Sequence, residues 1–303
     1  KRFWFFLISG GVILIGIISL ATFGLKYGIE FSSGSMMTVD FEQEVSQTEL
    51  EQTIVDLGYA NAIIQRTGAG DFLIRTGELT REEKTALKDA LASKYGGLTE
   101  AEFYSVSPMV ATETAQNAAI AVAVAAIGIL LYVTWAFHRM PKPFRYGTCA
   151  IIALLHDALI ALGIFSILGG ILNWEINLMF ITGILAVIGY SVNNTVVVFD
   201  RIRENLRMGV SPDFEVVVNN SMVETLGRSL NTSLTTLFVI LALLLFVGAT
   251  IMNFAVVLLI GIIAGTFSSV CIAPPLLVVW EKWVLEEDYI WVEIGRHWRT
   301  FII

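Results

Sequence analysis

Cysteine and histidine are scarce in this 303-residue chain, which holds two of the first and three of the second. Cys149 and Cys271 both lie in apolar runs, so neither a disulfide framework nor a zinc site is suggested. Three scattered histidines likewise argue against a metal cluster. Charge is scarce as well: 15% of residues are charged and 55% hydrophobic, with a mean hydropathy of +0.72. Soluble domains carry roughly a quarter charged residues, so the composition is that of an integral membrane protein. No nucleophile–base pair, metal set or phosphate loop is present, so no catalytic residue is assigned and an enzyme is not expected.

The net charge of −8 is unevenly placed. Residues 24–116 hold 15 Asp/Glu against 7 Lys/Arg, and the remainder is neutral. All excess acid therefore lies in one polar insertion, and nucleic acid is not expected as a partner.

Six apolar stretches are long enough to cross a bilayer: 3–23, then about 117–136, 146–168, 175–199, 229–248 and 253–280. The first is too long for a signal-peptide core and no convincing cleavage pattern follows, so it reads as a retained anchor. Pro274-Pro275 should kink or end the last. The connections at 137–145 (His138, Arg139, Lys142, Arg145) and 200–228 (Arg201, Arg203, Arg207, Arg228) are basic, whereas 169–174 and 249–252 carry no Lys or Arg. The positive-inside rule then places both termini in the cytoplasm and the acidic insertion outside.

That insertion, residues 25–114, alternates strand and helix signals. SMMTVDF (35–41) alternates like a half-buried strand, and Ser46 with Glu49 forms a capping-box pattern for a helix through about Leu57. NAIIQRT (61–67) and DFLIRT (71–76) read as strands joined by Gly68-Ala69-Gly70. Thr80 and Glu83 give a second capping box, for a helix ending at Gly96-Gly97, and AEFYSVS (101–107) is a last strand. The order βαββαβ predicts a small ferredoxin-like α+β domain, read as a binding or coupling module.

The stretch 183–204, GILAVIGYSVNNTVVVFDRIRE, organises the remainder. It carries Asn193 and Asn194 inside an apolar run and ends on Asp200, Arg201, Arg203 and Glu204. Amides in hydrocarbon point to function, or they hydrogen-bond a neighbouring helix. Tyr190 and Asn194 share one face. Downstream, Ser229, Thr232, Ser233 and Thr236 form a hydroxyl stripe that could face those amides across the fifth span. Arg228 needs an acceptor wherever it turns inward, with Asp157, Asp200 and Glu204 as the formal candidates, or it snorkels to cytoplasmic water. His156 and Asp157 lie roughly 16 Å below Arg145 at 1.5 Å per residue, near the midplane. They serve either as a protonatable relay or hinge, or as a local pair that locks packing. After Gly209-Val210-Ser211-Pro212-Asp213, residues 211–226 predict an amphipathic helix at the cytoplasmic interface.

GYSVNNTVVVFDRIREN (189–205) with RSLNTSLTT (228–236) resembles the SecF family of protein-export membrane subunits, in the RND superfamily. HDALIALGIFSILG (156–169) and YGIEFSSGSMM (27–37) resemble further motifs of that family, the second usually carrying GG where Ser33-Gly34 stand. The resemblance covers residues 1–283, and 284–303 match nothing in it. It implies the following organisation: helix 1 over 1–24, the external domain over 25–114, and helices 2–6 over 115–283, an RND-type half. It also implies a function: with SecD, the proton-motive force draws polypeptide outward from the SecYEG channel, with protons as coupling ion and no other cofactor. In relatives the position of Asn194 is commonly Asp, part of a proton-responsive set with the arginine at 228. An amide cannot titrate, so the resemblance implies that the titrating carboxylate here comes from a SecD partner, surrounded by Arg228, Asn194 and the hydroxyl stripe. Half of an RND exporter of small molecules or lipids, or a non-transporting assembly subunit, are the competing readings.

Overall fold

Apolar runs with few charges give long helices, and where polar residues break them the chain folds a small sheet. The computed structural model describes residues 2–67, 70–246 and 249–282. Helix α1 (Arg2–Thr22) carries no charged residue after its first. The short α2 (Ile29–Ser32) leads into β1 (Gly34–Phe41), α3 (Gln47–Asp56), β2 (Ile63–Arg66), β3 (Phe72–Thr76), α4 (Arg81–Tyr95) and β4 (Leu98–Val106). Five long helices follow: α5 (Pro108–Ala136), α6 (Phe144–Leu172), α7 (Leu178–Met208), α8 (Phe214–Phe246) and α9 (Ala249–Cys271). After α9 the chain turns at Ile272, just before Pro274-Pro275, and resumes as helix over 273–282. A proline cannot donate to the preceding turn, which accounts for the break. Among the described residues, six helical segments are long and apolar enough to cross a membrane, the last running Ile251–Lys282.

The α/β module is a four-stranded sheet in the order β2-β3-β1-β4, every neighbouring pair antiparallel. Strand β3 sits between β1 and β2, so the first crossover is split. One sheet face carries Met37, Val39, Phe41, Ile64, Phe72 and Ile74 against Leu50 and Ile54 of α3 and Leu87 and Leu91 of α4. Each such buried side chain contributes about 1.5–3 kcal/mol. Thr80 and Glu83 form the expected reciprocal cap of α4. Ser46 is the N-cap of α3, but its side chain makes no capping bond. The expected tight link at Gly68-Ala69 lies outside the described residues.

The other sheet face turns to the bundle. Arg75 and Gln65 project from it: Arg75 pairs with Glu175 in the α6–α7 connection and donates to the Tyr27 carbonyl and to Ser32 Oγ (both 2.7 Å), while Gln65 Nε2 donates to the Asn173 carbonyl (2.7 Å). Just before the sheet, Ser33 (φ 61°, ψ 167°) and Gly34 (φ 129°) turn the chain. A Cβ on Gly34 would lie 2.6 Å from the Thr76 carbonyl oxygen, so only glycine fits there.

In the bundle, close helix crossings depend on small residues. Gly16 of α1 meets Gly163 of α6, where a Cβ on Gly163 would lie 2.6 Å from the other Cα, and Ser19 bonds Ser166 beside it (2.9 Å). Helix α9 packs on α7 through Gly261 against Val187 and Gly265 against Ser191.

Two boundaries differ from the sequence reading. Helix α5 begins at Pro108, within the stretch expected to belong to the domain, because proline at the first position starts a helix readily. No separate amphipathic helix covers 211–226: α8 is one helix of 33 residues, so the interfacial segment and the fifth span are continuous. Both periodicities are helical, and nothing between Met222 and Thr232 interrupts them.

Candidate functional site

Helices α7 and α8 run antiparallel and their polar residues meet in register. Tyr190 Oη donates to Ser233 Oγ (3.2 Å), and Thr266 of α9 reaches the same Ser233 Oγ (2.6 Å). Farther along, Arg201 Nε donates to Glu224 (2.5 Å), and Asn205 Nδ2 donates to Ser221 Oγ and to Glu224 (both 2.9 Å). One turn from Tyr190 and Ser233, in opposite chain directions, stand Asn194 and Ser229. The seam therefore puts them at one level. Both are buried, and each keeps a polar atom, Asn194 Nδ2 and Ser229 Oγ, without a hydrogen-bond partner among the described residues. A buried orphan of this kind costs about 1–3 kcal/mol.

The expected site is thus only partly assembled. Asn193 points to the exterior of the chain, not into the seam. The hydroxyl stripe divides: Ser229 and Ser233 are buried, whereas Thr232 is exposed and bonds the Arg228 carbonyl, and Thr236 bonds the Thr232 carbonyl (both 2.9 Å). Those two hydroxyls donate to their own helix backbone and not across the α7–α8 seam. Arg228 is exposed and pairs with none of its three formal candidates. Asp200 pairs with Arg203, Glu204 with Arg201 (2.6 Å), and Asp157 lies in a separate cluster. Within the motif, the Asp200–Arg203 and Arg201–Glu204 pairs lie along α7, the Arg201–Glu224 pair joins α7 to α8, and Arg203 lies over the ring of Phe137, just after α5, at 5.7 Å.

His156 and Asp157 form the bonded pair that their adjacency suggested, Nδ1 to Oδ1 at 2.9 Å. Two serines that sequence reading missed complete it. Ser191 of α7 and Ser268 of α9 donate to Asp157 Oδ2 (2.6 and 2.9 Å), and His156 Nε2 is buried without a partner among the described residues. Asp157 is 1% exposed, so one carboxylate ties three helices. The missed signal was spacing: Gly261, Gly265 and Ser268 share one face of α9, and small residues on one face mark a close crossing.

The family model for the C-terminal part of the protein export membrane protein SecD/SecF matches residues 86–283, and the SecD/SecF GG motif matches residues 18–45. The chain belongs to the SecD/SecF family. Among its SecF relatives, "Protein translocase subunit SecF" of Thermobaculum terrenum is 43% identical over 294 residues, covering 93% of this chain and 92% of the relative. The SecF of Anaerolinea thermophila is 41% identical, covering 93% of each. The crystal structure of SecDF, described as a translocon-associated membrane protein, from Thermus thermophilus superposes with a TM-score of 0.82 at 31% identity over 93% of this chain. The chain spans 38% of that SecDF molecule. The stretch matched by the GG motif includes Ser33-Gly34, the pair with positive φ, and the stretch matched by the C-terminal family model includes the α7 seam.

Proposed function

We propose that this chain is the SecF half of an auxiliary assembly of the Sec translocase, paired with SecD and acting with the SecYEG channel. In this reading the proton-motive force promotes outward movement and release of unfolded polypeptide. Protons are the coupling ion, and no other cofactor takes part. The carrying observation is Arg228. It is permanently charged, exposed on α8, level with the Asn194–Ser229 part of the seam, and without an ion pair to any described residue. A guanidinium at that depth requires a counter-charge or water. The chain is therefore half of a site. A membrane carboxylate of SecD completes it: ionised, it pairs with Arg228; protonated, it releases it. Asn194 and Ser229 supply neutral hydrogen-bonding walls but no titration.

Orientation follows from the basic 137–145 connection and from Arg201, Arg203 and Arg207, which put that end of the bundle in the cytoplasm of the bacterial inner membrane and the α/β module outside. Membrane lipids cover the apolar faces of α1, α5 and α8, which are the most exposed of the six. The test is copurification followed by reconstitution. SecD and SecYEG should be recovered with the chain, and a proton gradient should accelerate export from vesicles holding all components. Recovery of a small-molecule or lipid export partner in their place, or gradient-independent export, would exclude the reading. Asn194→Asp adds a titrating group to the seam and should shift the pH dependence of export; an unchanged profile would remove position 194 from the proton path.

A further inference from the structure

Where the module meets the bundle, the contacts converge on one short connection, residues 173–177. The Gly28 amide donates to the Ile176 carbonyl and the Ile176 amide to the Lys26 carbonyl (both 2.7 Å), forming a parallel bridge between Tyr27 and Ile176. Gln65 of β2 holds the Asn173 carbonyl, Lys26 holds the Asn173 side chain, and Asn253 at the start of α9 donates to the Glu175 carbonyl (2.9 Å). Asn177, two residues on, caps α7 by accepting from the Phe180 amide at 3.0 Å.

Most of these bonds use backbone carbonyls, which any sequence supplies. The Arg75–Glu175 pair does not. Both side chains are largely enclosed, at 14% and 19% exposure. Arg75 lies mid-sheet, on the face that has no helix, and its two further bonds reach Tyr27 and Ser32 on the chain linking α1 to β1. Its three partners thus tie the α6–α7 connection and the α1–β1 link to one guanidinium projecting from the sheet. Any axial shift or rotation of α7, the helix that carries the Asn194 seam, moves Glu175 three residues before its first turn. A charged pair enclosed on both sides is costly to break with one partner left behind, so the module must follow.

We propose that Arg75 and Glu175 are positioning residues that transmit movement of α7 to the α/β module, so that proton-linked rearrangement in the membrane is delivered to the outer side. The proposal rests on the translocase reading above. It adds that the module is driven through one ion pair and does not diffuse independently on its linkers.

The test uses the full chain with its SecD partner and channel in vesicles, and follows proton flux and export in the same preparation. Arg75→Ala and Glu175→Arg should each lower export by about tenfold, a coupling-sized effect, with proton flux unchanged. The exchange Arg75→Glu with Glu175→Arg restores the ion pair but not the bond donated to the Tyr27 carbonyl, and should recover part of the lost export. Export and flux falling together, or export unaffected by either single change, would overturn the proposal. A wild-type preparation without gradient-driven export would instead defeat the underlying reading, and the two failures are therefore separable. Folding is checked on the same variants with spin labels at Thr85→Cys in α4 and Ile171→Cys in α6. The wild-type distance distribution should be narrow. Broadening in Arg75→Ala with its mean retained supports the proposal, and an unchanged distribution overturns it.

Discussion

Ser191 donates to Asp157 over 2.6 Å, and this bond fixes α7 against α6 one turn from Asn194. With Ser268 on the same oxygen and His156 on the other, the carboxylate is the polar joint of the three most enclosed helices. It holds the seam-bearing helix without taking part in the seam.

Removing that joint should be expensive. Asp157→Ala leaves two serine hydroxyls and a histidine without their acceptor and should destabilise the chain by about 3 kcal/mol. Asp157→Asn keeps an oxygen for both serines and should cost about 1 kcal/mol. Thermal unfolding in detergent or nanodiscs, monitored by tryptophan fluorescence, distinguishes the two. Equal losses would show that charge, not the acceptor geometry, matters at this position.

The α7–α9 crossing gives a steric prediction. A Cβ on Gly261 would fall 2.1 Å from Val187 Cγ2, so Gly261→Ala should destabilise by about 2 kcal/mol. Adding Val187→Ala removes the obstructing methyls and should recover most of the loss. The same unfolding measurement applies to the single and double variants, and strict additivity would place the clash elsewhere.

Ser33 occupies a backbone region that non-glycine residues adopt at a cost of about 1–3 kcal/mol. Ser33→Gly should therefore stabilise the module by about 1 kcal/mol, because the relief of strain exceeds the entropy added to the unfolded chain. Gly34→Ala should do the reverse, since its Cβ would meet the Thr76 carbonyl. Comparison of their urea midpoints checks both directions.

Much of the architecture was legible in the residues. Apolar run length gave six spans, and alternation with a Thr80–Glu83 cap gave the module's order, because both signals are local. What failed was non-local. Thr232 and Thr236 share a helical stripe with Ser229 and Ser233, but one residue's angular offset decides whether a hydroxyl meets α7 or its own backbone. Ser268 and Gly265 are unremarkable letters in an apolar run, and only the crossing of α9 over α7 gives them a partner. Arg75 and Glu175, a hundred residues apart, carry no mutual pattern at all.

Glu175 supplies a pH dependence whose sign follows from linkage. Burial raises its carboxyl above the ordinary 4.5, against the lowering effect of Arg75; Glu30 raises it further and Lys26 lowers it. With the contact opened, the carboxyl is hydrated and returns towards its ordinary value. The closed state therefore binds the proton more tightly. Its contribution is complete below the ordinary value and is lost as pH rises through the raised one. Lowering the pH on the module side should narrow the Thr85→Cys to Ile171→Cys distance distribution, and raising it should broaden it. Glu175→Gln, neutral at every pH, should abolish this pH dependence. Narrowing on alkalinisation would reverse the assignment.

Arg228 provides the most direct test of the central claim, that this chain is half of a proton-responsive site. The measurement is the structure of the chain bound to SecD in a lipid bilayer, read at the guanidinium of Arg228. The account predicts a membrane carboxylate of SecD within about 4 Å of it, the reach of an ion pair. An Arg228 directed to lipid headgroups or cytoplasmic water, with no SecD carboxylate near the Asn194–Ser229 level, would contradict it.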